Sequence, residues 1–393
     1  MQKLLRFSLL LLAFAAPAFA QRDIGTVEVI ADNKTLPVRV SANTPELNAL
    51  ALQAFGTHGR YRLVASGFAY DIVFSAVTPT QVRVEVLKGA APMYSEVVTG
   101  ANARNALLRA ADVAVAKTNG LGLRGYFASK VAFIGERTGK KEIYTGDLLF
   151  GDVKQITRDN AIALSPRWSP DGSKLIYTSF YKSGFPDIYL LDPVTGMKYE
   201  FVRVKGTNSG AHFSPNGSQV AMILSGTGTP EVWVTNAQGL LVASSRRTRS
   251  DAVKSSPCFS PDGTRLVFAM EPGPQLYTMP VGGGAPARLT TGGYCAEPDW
   301  SRANPNKIAF TLREGRNFQI AVYDFTKRES AKVSSAPFDG CEPSWLPDGR
   351  HLVYTARTST TSRLCILDTE TGKSTPISPA SFGSALQGSV WSP

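Results

Sequence analysis

The heptapeptide PRWSPDG at residues 166–172 returns as AHFSPNG at 211–217, PCFSPDG at 257–263 and PSWLPDG at 343–349. A degenerate copy, PDWSRANPNK, begins at Pro298, and a last one, SVWSP, occupies residues 389–393. Their aromatic residues, Trp168, Phe213, Phe259, Trp300, Trp345 and Trp391, follow one another at steps of 45, 46, 41, 45 and 46 residues. A period of that length, with several short strands per unit, is the signature of propeller blades. Within the unit, the aromatic ends one strand and offers a flat surface to the next blade. Ser-Pro-Asp-Gly then makes a tight turn, with Pro presetting φ, Asp bonding its own backbone and Gly accepting a positive φ. An alternating strand, a third strand such as residues 187–191 and a more polar fourth strand such as 287–290 follow, giving four strands per blade.

Residues 130–136, 142–148 and 153–157 read as the second to fourth strands of a blade that lacks its innermost strand. Residues 388–391 form an orphan strand, and putting the two together closes a ring of six blades. A ring closed this way leaves no open sheet edge.

Residues 21–119 carry no trace of the repeat. Residues 26–31, 37–41, 60–65, 70–76, 81–87 and 94–98 read as strands from alternation or β-branched content. Thr44-Pro45-Glu46 is a helix start running to Gly56, and residues 101–117 form a second helix ended by Asn119-Gly120. The reading is an α/β N-terminal domain over 21–122 followed by an all-β six-bladed β-propeller over 123–393.

Residues 1–20 have the form of a secretory signal peptide: Lys3 and Arg6, an apolar run over 7–16, then Ala18-Phe19-Ala20 as the cleavage site. The mature protein is expected to begin at Gln21, be exported, and make no direct membrane insertion. The chain of 393 residues has a formal charge of +11, but its basic residues are scattered and the densest cluster is the short run Arg246, Arg247, Arg249. That distribution reads as solubility rather than as a nucleic-acid surface.

On these residues the chain resembles the TolB family of periplasmic proteins. The likeness covers almost the whole mature chain: a small α/β domain, six blades of SPDG repeats and an ending on Trp-Ser-Pro. The stretch LSPRWSPDGSKLIYTS at 164–179 is similar to the family's first full repeat, and residues 121–134 to its entry into the propeller. The N-terminal domain is the weaker match. The resemblance implies a non-catalytic scaffold of the Tol–Pal envelope system, which supports outer-membrane integrity and cell division. Its implied partners are the peptidoglycan-associated lipoprotein, bound at the channel mouth, and an inner-membrane TolA-type protein, bound by the mature N-terminal segment. That segment is Gln21, Arg22, Asp23, Ile24, Gly25, Thr26 and Val27. The expectation is a monomer without cofactor or metal. A TolB-like propeller serving another envelope partner is the nearest alternative.

The rival class is a carbohydrate- or peptide-acting enzyme with a site in the channel. A serine hydrolase domain needs a Gly-x-Ser-x-Gly elbow, and the sequence contains no such pentapeptide. His58, His212 and His351 lie in different units without metal-ligand spacing. His212, next to Phe213, reads as a polar residue of the channel wall. Among Cys258, Cys295, Cys341 and Cys365, only Cys295 and Cys341 occupy equivalent places in neighbouring blades, which makes them the one pair worth proposing as a disulfide.

The residues three before each aromatic are expected to ring the channel mouth: Ser165, Gly210, Ser256, Glu297, Glu342 and Gly388. The expected partner site is this ring with His212, its two carboxylates set inside a basic rim of Lys182, Arg313, Arg316 and Arg357. The family's acidic contact in this region belongs to the fourth blade, where this chain has Ser256.

Overall fold

The structure, a computed structural model, describes residues 35–393. The expected signal peptide, the expected strand at 26–31 and the segment 21–27 lie outside the described residues.

The small domain is a five-stranded sheet with two helices on one face. β1 (Leu36–Ala42) runs parallel to both its neighbours, β2 (Tyr61–Leu63) and β3 (Tyr70–Thr78). β4 (Gln81–Lys88) and β5 (Ala91–Thr99) extend the sheet antiparallel, in the order β2-β1-β3-β4-β5. α1 (Pro45–Thr57) starts where Thr44 accepts the Leu47 N–H at 3.3 Å and Pro45 occupies the first turn. α2 (Ala103–Thr118) is capped by Asn102, which accepts the Asn105 N–H at 2.8 Å. Val82, Val84 and Val86, alternate residues of β4, are fully buried in the same cluster as Leu50, Phe55, Leu107 and Val115 of the helices.

Six sheets follow. The innermost strands of blades two to six are Ala163–Trp168, Asn208–Phe213, Lys254–Phe259, Cys295–Trp300 and Asp339–Trp345. Blade one is Lys130–Gly135, Glu142–Asp147 and Lys154–Gln155, completed on its inner side by the antiparallel strand Ala385–Trp391. The expected closure is therefore the observed one. In the first turn Asp171 accepts the Ser169 hydroxyl and the Ser173 N–H at 2.6 and 3.1 Å, and Gly172 takes φ 69°. A side chain at Gly172 would strike the Trp391 ring.

Blades are joined through the aromatics. The Trp168 indole N–H donates to the Ser389 carbonyl of blade one at 3.2 Å, and that of Trp345 donates to the Asp299 carbonyl of blade five at 3.0 Å. A second repeated device lies nearer the rim. A hydroxyl after the fourth strand accepts an N–H of the third strand and donates to the side chain of the residue before it. Thr157 does this for Ile143 and Glu142, Thr290 for Leu276 and Gln275, and Ser334 for Ile320 and Gln319. Each buried amide or carboxylate is thus satisfied within its own blade.

Three expectations are corrected. Blade three has three strands, Asn208–Phe213, Gln219–Leu224 and Glu231–Asn236, not four. After Asn236 the chain turns through Gly239 (φ 75°) into a short 3-10 turn at Ala243–Ser245, so only a single bridge, Trp233 to Arg246, remains of a fourth strand. All four cysteines are free buried thiols. Cys295 donates to the Gly293 carbonyl at 3.4 Å while Cys341 accepts from Arg357 at 3.5 Å, so the proposed pair engages separate partners. Finally, pairing in blade one sets Val390 opposite Val131 and Trp391 opposite Lys130, whereas Trp168 pairs with Leu175 and Phe259 with Leu266. Val390 therefore takes the place of the repeat's aromatic, and Trp391 comes one residue late.

Candidate functional site

Each innermost strand carries a β-bulge at the same point. Its first residue is Ser165, Gly210, Ser256, Glu297, Glu342 or Gln387, all with φ between 50 and 64°. The structure thus brings Ser165, Gly210, Ser256, Glu297 and Glu342 into one ring as the spacing implied. The sixth member is Gln387 rather than Gly388, because of the one-residue offset in blade one. At a bulge the extra residue leaves the ladder and its side chain is re-aimed, here along the circumference. Glu297 accepts the Glu342 N–H at 3.1 Å, Glu342 accepts the Gln387 N–H at 3.2 Å, and Gln387 accepts the Ser165 N–H at 2.7 Å. The Gln387 amide also donates to Glu342 at 2.9 Å, and the hydroxyls of Thr311 and Thr355 donate to Glu297 and Glu342 at 2.6 and 2.7 Å.

The ring is asymmetric. Blades five, six and one contribute long side chains tied head to tail, while blades two, three and four contribute Ser165, Gly210 and Ser256. A Cβ on Gly210 would stand 3.8 Å from the Ser256 nitrogen, which fits the same circumferential direction. Burial, then the Glu342 charge, raise the Glu297 carboxyl above its ordinary pKa. Of the expected basic rim, Lys182 pairs with Glu200 at 3.0 Å and Arg357 with Asp339 at 3.8 Å, while Arg313 lies over Phe318.

Two residues further along the strands is a second ring, which the sequence reading reached only at His212. Its members, Arg167, His212, Cys258, Asp299, Ser344 and Ser389, line a cavity of ≈ 810 Å³ on the side of the SPDG turns. Arg109 and Asp112 of α2 and Gly122, Arg124 and Gly125 supply another part of its wall. His212 Nδ1 meets the Phe213 carbonyl at 2.9 Å, Asp299 accepts the Trp345 N–H at 2.7 Å, and the Cys258 sulfur accepts the Trp300 N–H at 3.5 Å.

The other two histidines meet where the small domain docks on blade six. Their rings are 4.3 Å apart, and His58 stacks on Tyr126. His351 Nε2 accepts the Gly59 N–H at 3.1 Å and its Nδ1 bonds Asp348 at 2.5 Å. Arg350 binds Asp368 through two hydrogen bonds of 2.9 and 2.6 Å beside them. Gly59 is required here, because any side chain would run into Asp368. Burial, reinforced by His351, holds His58 well below its ordinary pKa. Asp112 fixes the linker by accepting the N–H groups of Phe127 and Ala128 at 2.6 and 3.0 Å. Residues as distant in sequence as His58 and His351 carry no local signal of this contact. The N-terminal candidates, Gln21 to Val27, lie outside the described residues.

The family model described as PD40, the TolB beta propeller domain, matches residues 120–393. The Protein TolB homolog of Chlorobium luteolum is 34% identical over 165 residues, 42% of this chain and 37% of that protein. The Tol-Pal system protein TolB of Bordetella pertussis is 32% identical over 166 residues, again 42% of this chain and 37% of that protein. The chain therefore spans little more than a third of the length of these curated relatives. In fold it is similar to TolB from Acinetobacter baumannii, with a TM-score of 0.78 at 22% identity, over 93% of this chain and 98% of that one. A family match that takes in both the repeats and the closing strand agrees with the six-bladed ring, and the chain belongs to the TolB β-propeller family.

Proposed function

We propose that the protein is a non-catalytic periplasmic scaffold of the Tol–Pal envelope complex. It holds a peptidoglycan-associated lipoprotein at the channel mouth and an inner-membrane TolA-type protein through residues 21–27. The observation that carries the reading is the one-sided mouth in a ring of this family. Glu297, Glu342 and Gln387 are tied to one another, while Ser165, Gly210 and Ser256 leave the opposite half open, with His212 behind them. A projecting segment of the lipoprotein enters over blades two to four and meets the carboxylate side of the ring across the channel.

The test fills the open half without asking for a new backbone conformation. Gln387 adopts φ 54° and spans the gap to the next bulge, so Ser256→Gln, at φ 50°, has the same geometry available toward the Glu297 N–H. Binding of the purified mature chain to the lipoprotein from the same genome should weaken at least about tenfold, equal to about 1.4 kcal/mol, with the fold intact. Full-strength binding by the folded variant rejects the mouth as the site. No binding by the unaltered chain rejects the scaffold reading itself.

A further inference from the structure

We propose that His212, Cys258 and Asp299 form a site for a divalent transition metal, with Zn²⁺ the best match, on the wall of the propeller channel. The three residues occupy the same repeat position in blades three, four and five, so their ligand atoms converge although 46 and 41 residues separate them. One ligand atom from each lies within 4.8 Å of the other two, and the Cys258 sulfur is 3.9 Å from His212 Nε2. Tetrahedral zinc with Zn–S of about 2.3 Å and Zn–N of about 2.0–2.1 Å needs a sulfur–nitrogen separation of roughly 3.5 Å. A small side-chain rotation supplies the difference. A thiolate, an imidazole and a carboxylate together suit zinc and cobalt better than magnesium or calcium, which prefer oxygen alone.

The surrounding bonds orient all three ligands. With Nδ1–H donating to the Phe213 carbonyl, His212 presents the Nε2 lone pair toward Cys258. The Trp345 N–H fixes Asp299 through Oδ2, and the Trp300 N–H donates to the Cys258 sulfur. These donors belong to innermost strands, the most constrained backbone of the ring.

Burial lowers His212 to about 3, raises the Cys258 thiol to about 12 and raises Asp299. All three groups are thus pushed toward their neutral forms, and a dication reverses the preference for the thiolate and carboxylate. Binding then forms a metal–sulfur bond at Cys258 and releases its proton to solvent. The fourth coordination position opens on the ≈ 810 Å³ cavity. Arg167 and Arg302 line that cavity and act electrostatically on all three residues, so the open position favours water or a small carboxylate. The buried group His58, Asp348 and His351 is a poorer candidate, because the His351 Nε2 lone pair already accepts from Gly59.

The experiment uses the full mature chain, stripped with a chelator and titrated with Co²⁺. One equivalent should bind, giving a thiolate-to-cobalt charge-transfer band and the intense visible bands of a four-coordinate site, both abolished on adding Zn²⁺. Cys258→Ser should lose the charge-transfer band, while Cys365→Ser, at a buried thiol elsewhere, keeps it. His212→Gln and Asp299→Asn should weaken Co²⁺ binding by more than the roughly 10–100-fold that loss of an orienting group causes. Circular dichroism and thermal unfolding establish that each variant is folded. Should Cys258→Ser fail to fold, the folded His212→Gln variant decides. The proposal is overturned if the unaltered chain takes up no stoichiometric Co²⁺. Equal uptake by a folded Cys258→Ser or His212→Gln variant overturns it too.

Discussion

Replacing Gln387 by Ala tests the circumferential chain at the point where the ring closes. The Gln387 side chain makes two bonds between blades: its amide donates to Glu342 in blade six at 2.9 Å, and its oxygen accepts the Ser165 N–H of blade two at 2.7 Å. A bond to a carboxylate contributes about 1.5–3 kcal/mol and a neutral one about 0.5–1.5 kcal/mol. Truncation leaves a backbone donor and a carboxylate oxygen without these partners, and water entering the channel recovers part of the loss. The expected cost is about 2–3 kcal/mol, read as the free energy of unfolding in urea. Gln387→Glu separates the two bonds. It keeps an acceptor for the Ser165 N–H but sets a second carboxylate against Glu342, so at pH 7 it should be no more stable than Gln387→Ala. Acidification should restore it relative to Gln387→Ala, because a protonated carboxyl can donate. A Gln387→Ala variant within about 0.5 kcal/mol of the unaltered protein would refute the reasoning.

Lys254 is 1% exposed and pairs at 2.8 Å with the fully buried Glu231, which Arg246 also holds at 3.1 Å, so Lys254→Met should cost about 2 kcal/mol in urea unfolding, less than the roughly 3–5 kcal/mol of a carboxylate left with no cation. His58 is buried and held neutral, so below about pH 6.5 the unfolded chain binds a proton that the folded chain excludes. Its contribution to stability is therefore lost as pH falls, by up to about 1.4 kcal/mol per unit. That slope should be shallower in His58→Phe, which keeps an aromatic ring against Tyr126, when urea midpoints at pH 7 and pH 5 are compared. Cutting the mature chain back to Asn33 should abolish binding to the TolA-type partner in a pull-down while leaving the propeller's melting transition in place. Retained binding would remove that segment from the interface.

The propeller was legible because its turns are chemical. Pro170, Asp171 and Gly172 each do one backbone task, and a repeated task leaves a repeated residue. Closure was legible for a related reason, since a blade short of one strand at 130–157 and a strand without a blade at the other end have one simple solution. Register in blade one was not legible, because Trp391 looks like the marker while Val390 occupies its place; strand pairing and the bulge decide that. The missing fourth strand of blade three escaped because its substitute, the turn at Ala243–Ser245, preserves the hydroxyl of Thr248 that bonds Glu231. The ring of His212, Cys258 and Asp299 was hidden for a geometric reason: a propeller brings together one residue per blade, so its channel groups have no spacing shorter than a blade. The Cys295–Cys341 pairing failed on the opposite ground. Equivalent places in neighbouring blades bring strands together, but these two thiols have other partners.

The strand Ala385–Trp391 has a kinetic consequence. It pairs with Lys130–Gly135, and Gln387 reaches Ser165 across 222 residues of sequence. Bringing such distant points together carries a loop-closure entropy of about 5 kcal/mol before any contact forms, so the last zipping step should be late and slow in refolding. Once made, the same joint is the natural place for the ring to part, since release of one strand frees two blade faces at once. Amides of Lys130–Gly135 should then exchange with solvent at the rate of whole-ring opening rather than by local fraying. The lifetime of the folded protein becomes the residence time of its final seven-residue strand.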